Sequence, residues 1–142
     1  NYDPLETWDS GLPGVLEHTD VFLPNETEAL HITRQESLEK ALEKLSDIPT
    51  LAVKLGSKGG FAKQKDKTVT APSLDINVVD TTGAGDTFDA GFLYGYLNGW
   101  SLEQSLQLAC ACGSLSTQGV GGTGAQPTLE EALKALEGNS RQ

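Results

Sequence analysis

The fold of this chain is decided by the stretch Val78-Val79-Asp80-Thr81-Thr82-Gly83-Ala84-Gly85-Asp86-Thr87-Phe88. Its β-branched beginning is typical of a strand. From Phe88 onward the apolar residues recur at three- and four-residue steps, which indicates a helix. Asp86 is therefore expected on the first turn of that helix, directly after two glycines. Unpaired N–H groups and the positive end of the helix dipole meet at such a turn, which makes it a suitable site for an anion.

The residue types in this loop indicate phosphoryl chemistry. Gly83 and Gly85 allow a positive φ angle and the close approach of a phosphate. A carboxylate beside a phosphate repels it, unless its purpose is to activate a nucleophile aimed at that phosphate. We therefore expect Asp86 to take the proton from an attacking hydroxyl while the loop amides stabilise the transferring group. The residues alone leave open the alternative that Asp86 caps a helix after a tight turn.

Two common phosphate motifs do not fit this loop. No Gly-Lys-Ser/Thr follows the glycines, so it is not a Walker P-loop. Phe88 occupies the third glycine position of a dinucleotide fingerprint.

The stretch from Asp80 to Phe88, continued by Ala90-Gly91-Phe92, resembles the second signature of the ribokinase (PfkB) family of carbohydrate kinases. The resemblance implies that Asp86 is the catalytic base and that the anion hole consists of Gly83, Ala84 and Gly85. Three further stretches extend it over nearly the whole chain: Asn25 to Glu28, Lys54 to Gly60 and Ser116 to Thr123. The implied fold is α/β, a ribokinase-like (Rossmann-like) three-layer αβα sandwich, of which this chain would be the C-terminal part only.

Asn25 and Glu28 follow a short apolar strand predicted at Val21–Leu23, and open α/β sheets place ligands at such strand ends. Spaced three apart, the two residues share a helix face and could hold hydrated Mg²⁺ beside a nucleotide's phosphates. The residues by themselves favour a plain capping box. The resemblance instead implies the family's magnesium and phosphate element.

A glycine-rich loop with many N–H donors follows the strand predicted at Leu51–Leu55. By itself such a loop is simply a turn. The resemblance implies that it lies along ATP, and that Cys110 lies near the base. Lys54 occupies a position where ribokinase-like sequences often have Thr. The expected nucleotide-binding residues are Asn25, Lys54, Gly56, Ser57, Gly59, Cys110 and Gly119.

The glycine run at residues 118–124 is too rich in glycine for regular structure, and on its residues alone it is a flexible linker. The resemblance implies that it closes over the adenine and ribose and helps to bind a monovalent cation, such as K⁺. The implied cation ligands are the backbone carbonyls of Ser116, Gly119 and Gly121, alongside Asp80 and Thr82.

The remaining elements follow from periodicity and turn signals. They are an amphipathic helix at Glu36–Leu45, a hairpin of Phe61–Lys65 and Thr68–Ala71 turning at Asp66-Lys67, a strand at Asp75–Val79, a helix capped by Ser101, and a last helix at Thr128–Leu136. Gly91, Gly95 and Gly99 recur every fourth residue and predict a smooth stripe against which another element packs.

Charge and cysteine usage exclude several classes of partner. The formal net charge is −10, from 20 acidic and 10 basic residues, and it repels nucleic acid and anionic membranes. No apolar run reaches the roughly 18 residues of a membrane helix. Cys110 and Cys112 lie two apart, so on a helix they should neither pair nor chelate one metal. Buried reduced thiols are typical of a cytoplasmic protein.

At 142 residues the chain amounts to one domain. It contains no methionine, and Asn1-Tyr2-Asp3-Pro4 resembles mid-domain sequence. We expect residues 1–142 to be the C-terminal nucleotide-binding and catalytic part of a kinase domain whose N-terminal substrate and lid part is absent. Asp3-Pro4 would then lie just past a strand that the chain lacks.

The resemblance implies transfer of the ATP γ-phosphoryl group to a hydroxyl of a sugar, fructose-, ribose- or ketodeoxygluconate-like. Because the family's sugar contacts come largely from the N-terminal part, this piece alone is expected to bind nucleotide weakly and to turn over little. The alternative acceptors are a nucleoside or a vitamin precursor such as a pyridoxal-type alcohol. A non-catalytic nucleotide-binding module and a structural or oligomerisation domain are the rivals from other classes. A homodimer is left open, since family dimers usually pair through the lid.

Overall fold

The computed structural model describes residues 11–139, so the expectation for Asp3-Pro4 lies outside the described residues. A mixed four-stranded sheet has the order β1-β2-β3-β4. Its strands are β1 (Val21–Phe22), β2 (Thr50–Lys54), β3 (Gly60–Gln64) and β4 (Lys67–Ala71). β1 runs parallel to β2, and the other neighbouring pairs are antiparallel.

Helices cover both faces of this sheet. They are α1 (Leu12–Leu16), α2 (Glu26–Thr33), α3 (Leu38–Lys44), α4 (Ala84–Leu97), α5 (Leu102–Ser116) and α6 (Leu129–Asn139), with a 3₁₀ turn at Gly56–Lys58. No helix among the described residues is both long enough and apolar enough to cross a membrane.

The alternation of β2 explains the layers, because neighbouring strand residues point to opposite faces. Ala52 packs with Phe88, Phe92 and other residues of α4 and α5. Leu51 and Val53 pack on the opposite side, with residues of α2 and α3. Both sets are buried, so the sheet lies between two helical layers. This confirms the expected three-layer αβα arrangement.

The predicted hairpin is confirmed with a shift of one residue in its turn. Gln64 pairs with Lys67, so the turn residues are Lys65 and Asp66, and Lys65 has a φ angle of 53°. Two-residue hairpin turns of this kind require positive φ to match the strand twist.

The predicted strand at Asp75–Val79 is wrong. The segment belongs to no strand and runs beside the C-terminal end of α5. The Leu74 N–H donates to Ser114 Oγ at 3.1 Å, and the Val79 N–H donates to the Thr117 carbonyl at 2.7 Å. A β-branched composition favours extended backbone, but a strand also needs a neighbouring sheet edge, and no described strand lies alongside.

The glycine stripe on α4 is confirmed at two positions and wrong at the third. A Cβ added to Gly95 would lie 2.5 Å from Ser105 Oγ, and one added to Gly91 would lie 3.0 Å from the Ala109 Cα. These two glycines therefore let α5 approach α4 closely. Gly99 has a φ angle of 72° and no atom within 4 Å of such a Cβ, because it follows the helix end in the left-handed conformation.

Candidate active site

The start of α4 places the predicted base where expected. Gly83 is the N-cap residue, with φ 76° and ψ 0°, and Asp86 is the third helical residue. Thr87 Oγ1 donates to the Gly83 carbonyl at 2.9 Å and secures the turn. The carboxylate of Asp86 is exposed and accepts no hydrogen bond from any residue between 11 and 139. Asp86 is therefore not the cap of this helix.

The amides of this turn are mostly unpaired. The Ala84 N–H donates to the Thr81 carbonyl at 3.2 Å. Within the described part of the chain, the N–H groups of Gly83, Gly85 and Asp86 have no acceptor. Of the predicted anion-hole residues, Gly83 and Gly85 thus retain a free donor, and Ala84 does not. Such donors at a helix N-terminus favour a bound anion.

A cavity of about 690 Å³ lies between the loop after β2 and α5. Five of the predicted nucleotide-binding residues line it: Lys54, Gly56, Ser57, Gly59 and Cys110. The sequence reasoning missed the wall contributed by the irregular segment after β4, which includes Ser73, Leu74 and Ile76. Ser73 Oγ donates to the Ser57 carbonyl at 2.6 Å and joins that segment to the glycine loop.

Both cysteines are free and buried, as expected. Burial raises the pKa of Cys110 to about 12 and that of Cys112 to about 11. Both therefore remain thiols at neutral pH. Cys110 Sγ lies 3.6 Å from the Ala71 carbonyl and presents a small apolar surface to the cavity.

Asp86 lines a second cavity, of about 510 Å³. Asn25 and Glu28 line this cavity and not the larger one. The two cavities share Lys54, Gly56 and Gly85, so they adjoin at the first turn of α4. A molecule that fills the larger cavity can therefore extend a group toward Asp86.

Asn25 and Glu28 form a reciprocal capping box. The Glu28 N–H donates to Asn25 Oδ1 and the Asn25 N–H donates to Glu28 Oε2, both at 2.8 Å. Among residues 11–139 no three His, Cys, Asp or Glu side chains form a group that could hold a metal ion. Magnesium bound by water and nucleotide phosphates fits beside this pair, whereas direct chelation by these two oxygens would compete with the cap.

Lys54 forms an ion pair with Asp89 across the smaller cavity. Its Nζ lies 2.9 Å from both Asp89 carboxylate oxygens, and the side chains are 15% and 27% exposed. Burial raises the pKa of Asp89, and the hydrogen bond and charge of Lys54 oppose that rise. Asp89 was not among the site residues predicted from the sequence. Its spacing of three residues from Asp86 on one helix was the available signal.

The predicted cation-binding residues come together only in part. Asp80 Oδ2 accepts from the Gly121 N–H at 2.9 Å, and Oδ1 accepts from Thr82 N–H at 2.9 Å and Thr82 Oγ1 at 2.7 Å. These bonds, that from Gly121 foremost, lower the pKa of Asp80 to about 2. Ser116 lies at the end of α5, where its Oγ donates to the Gly113 carbonyl at 2.9 Å. Gly119 packs on Ala125 and lines neither cavity.

The glycine run is therefore folded against the catalytic loop and is not a free linker. Gly121 is bonded to Asp80. A Cβ added to Gly83 would lie 2.5 Å from the Gly122 carbonyl oxygen. This close approach, together with the positive φ, is why position 83 requires glycine.

Comparison with known proteins assigns the chain to a family. The model of the pfkB family carbohydrate kinases matches residues 2–129. An uncharacterised sugar kinase from Archaeoglobus fulgidus is 46% identical over 92 residues, which are 63% of this chain and 36% of that protein.

Two solved structures share the fold. Arabidopsis thaliana ribokinase, complexed with ribose and ATP, has a TM-score of 0.79 at 36% identity and covers 87% of this chain. A ribokinase-like protein from E. coli, complexed with ATP and Mg²⁺, has a TM-score of 0.83 at 28% identity and covers 89% of this chain. The chain spans 42% of the length of each of these two structures. The family match, which covers most of the chain, and the shared fold show that the chain belongs to the PfkB family of carbohydrate kinases.

Proposed function

We propose that residues 1–142 are the C-terminal nucleotide-binding and catalytic part of an ATP-dependent sugar kinase. The acceptor is a hydroxyl of a fructose-, ribose- or ketodeoxygluconate-like sugar. One observation carries the proposal: the carboxylate of Asp86 lies beside unpaired helix amides, in a cavity that adjoins a second one of about 690 Å³. The similarity to a ribokinase complexed with ribose and ATP supports the same reaction class.

In this reaction Asp86 accepts the proton of the acceptor hydroxyl. The hydroxyl oxygen forms a bond to the γ-phosphorus, and the bond from that phosphorus to the bridging oxygen breaks. Its electron pair leaves with ADP. The N–H groups of Gly85 and Asp86 stabilise the charge on the transferring group. No covalent enzyme intermediate forms, so placement and electrostatics supply most of the rate enhancement.

The two cavities suggest how ATP is held. Its base lies near Cys110, and its phosphates follow the loop of Gly56, Ser57 and Gly59 toward Gly85. Asn25 and Glu28 face the phosphates through water. Mg²⁺, when bound with ATP, neutralises phosphate charge.

We also propose that Asp80, Thr82 and Gly121, which hydrogen bonds join, form the core of a K⁺ site. The pKa of Asp80, about 2, keeps its carboxylate charged at neutral pH.

The cellular setting is part of the same proposal. Free buried thiols and a net charge of −10 favour a cytoplasmic enzyme that binds ATP and a small sugar, without nucleic acid or membrane partners. Homodimer formation would depend on the part of the protein that its relatives have and this chain lacks.

The test is ATP-dependent phosphorylation of a panel of sugars and nucleosides. The 142-residue chain is compared with the longer protein expected from its relatives. The longer protein should be active and the chain nearly inactive. Asp86→Asn in the longer protein should lower kcat by about 10²- to 10⁴-fold, the usual contribution of a general base. Asp66→Asn, at the exposed hairpin turn, is the matched control and should change nothing.

Three results would contradict parts of the proposal. Equal activity of the two lengths would refute the division into N- and C-terminal parts. Phosphorylation of nucleosides in preference to sugars would change the acceptor class. Intact ATP binding without any phosphorylated acceptor would identify a nucleotide-binding module.

A further inference from the structure

Lys54 occupies the boundary between the two cavities. Of the described residues that line both, it alone carries a charged side chain, since the others are Gly56 and Gly85. A Cβ added to Gly85 would lie 3.9 Å from Lys54 Nζ, so the ammonium stands next to the first turn of α4. A group that extends from the larger cavity toward Asp86 crosses the boundary formed by Lys54, Gly56 and Gly85, beside this ammonium.

The position of Lys54 is set by regular structure and not by a loop. Its N–H donates to the Pro24 carbonyl at 3.0 Å, at the end of β2. Its side chain ends in the 2.9 Å contacts with both oxygens of Asp89, one turn beyond Asp86 on α4. The Lys54 side chain is only 15% exposed, which limits the positions it can adopt. Sites supported by strands and helices hold a functional group most accurately.

An ammonium at this boundary suits phosphoryl transfer. Negative charge is spread over the oxygens of the transferring group, and fixed cations beside it lower the barrier. Asp89, three residues beyond Asp86, lines the smaller cavity and not the larger one. It can therefore hold the ammonium in place from outside the larger cavity.

We propose that Lys54 is a further catalytic residue that contacts the phosphoryl group in transit, and that Asp89 is its positioning residue. The inference rests on the proposed kinase function and adds a role to it. If the pair were purely structural, it would tie β2 to α4 and affect stability without affecting turnover.

The experiment uses the longer protein and four variants: Lys54→Met, Asp89→Asn, the double variant and Lys63→Met. Lys63 is the control, because its ammonium bonds the Ser46 carbonyl at 2.7 Å, away from both cavities. For each variant we would measure kcat, ADP affinity, melting temperature, and affinity for an ATP analogue with an imido group between the β- and γ-phosphates.

Lys54→Met should lower kcat by about 10²- to 10³-fold, as loss of one transition-state donor does. Its ADP affinity should stay within about threefold, while its preference for the imido analogue over ADP should fall by about tenfold, a loss typical of one charge-assisted contact. Asp89→Asn should lower kcat by about 10- to 100-fold, the effect of a small misplacement. The double variant should be no worse than Lys54→Met, because both act through one group.

Other results would overturn the inference. A lower melting temperature with unchanged kcat would make the pair structural. Equal losses of kcat and ADP affinity would make Lys54 a nucleotide anchor. Independent, multiplying effects in the double variant would remove the positioning role of Asp89. If the unmodified protein phosphorylates no acceptor, the proposed kinase function is refuted, but the placement of Lys54 can still be tested. The analogue-to-ADP ratio still decides whether Lys54 faces the terminal phosphate, and an unchanged ratio would refute that placement.

Discussion

Replacement of Gly83 by Ala tests whether the catalytic loop depends on close contact with the glycine run. Gly83 has a φ angle of 76°, and its added Cβ would lie 2.5 Å from the Gly122 oxygen and 2.8 Å from the Gly122 Cα. Both neighbouring atoms are backbone, so no side-chain rotation relieves the clash. The left-handed conformation costs an Ala about 1–2 kcal/mol. Overpacking adds about 1–3 kcal/mol.

Gly99→Ala separates the cost of the left-handed conformation from the cost of the steric clash. Gly99 has a similar φ angle of 72°, but a Cβ there would meet no atom within 4 Å. It should therefore cost only the conformational term of about 1–2 kcal/mol. Gly83→Ala should destabilise by about 2–5 kcal/mol, the sum of both terms. It should also lower kcat, because displacement of the loop moves the Gly85 and Asp86 amides.

The assay is urea unfolding of both variants of the longer protein, together with kcat. The contact argument requires Gly83→Ala to be clearly less stable than Gly99→Ala. Equal destabilisation would refute it, because strain at positive φ would then explain the whole effect. If Gly83→Ala left kcat unchanged, catalysis would not depend on the exact position of this loop.

Two further predictions concern the Asp80 network and the α4–α5 contact. The folded-state pKa of Asp80 is about 2, below its ordinary 3.8, so the stability it contributes is present above about pH 4 and lost as pH falls toward 2. Urea unfolding between pH 2 and 6 should show that the free energy of unfolding falls less steeply with decreasing pH in Asp80→Asn than in the unmodified protein. If it fell equally steeply in both, Asp80 and its hydrogen bonds would not cause the loss of stability in acid. Gly95→Ala should destabilise by about 1–3 kcal/mol because its Cβ would lie 2.5 Å from Ser105 Oγ and 2.9 Å from Ser105 Cα. Thermal unfolding that showed a gain in stability would mean that helix propensity outweighs the clash.

The elements that were predictable have local signals. Asp86 lies on the first turn of its helix, as predicted, and the last helix begins with the predicted bonds between Thr128 and Glu131. Capping and turn signals depend on residues within about one helical turn of each other, so sequence spacing specifies them well. The segment Asp75–Val79 was mispredicted because strand formation depends on a partner elsewhere in the chain.

The residues of the site also divide into those that local sequence signals predict and those that only contacts between distant segments bring together. Asp86 could be placed from Gly83 and Gly85, which both precede it in the loop. The pairing of Lys54 with Asp89 could not, because the two residues are 35 positions apart and meet only where the end of β2 lies beside the beginning of α4. Likewise, Gly95 and Gly99 look equivalent in sequence, yet one packs on Ser105 and the other ends the helix.

The amino-acid sequence alone therefore determined the local chemistry: a carboxylate on the first turn of a helix, glycines that allow a close anion, and a chain of net charge −10. Only the tertiary structure decided that two cavities adjoin at Gly85, that Lys54 is the charged group between them, and that the glycine run packs on the catalytic loop. The physical reason is that conformation near one residue is governed by neighbours in the chain. Contacts between distant segments depend instead on how the buried faces of helices and strands pack together.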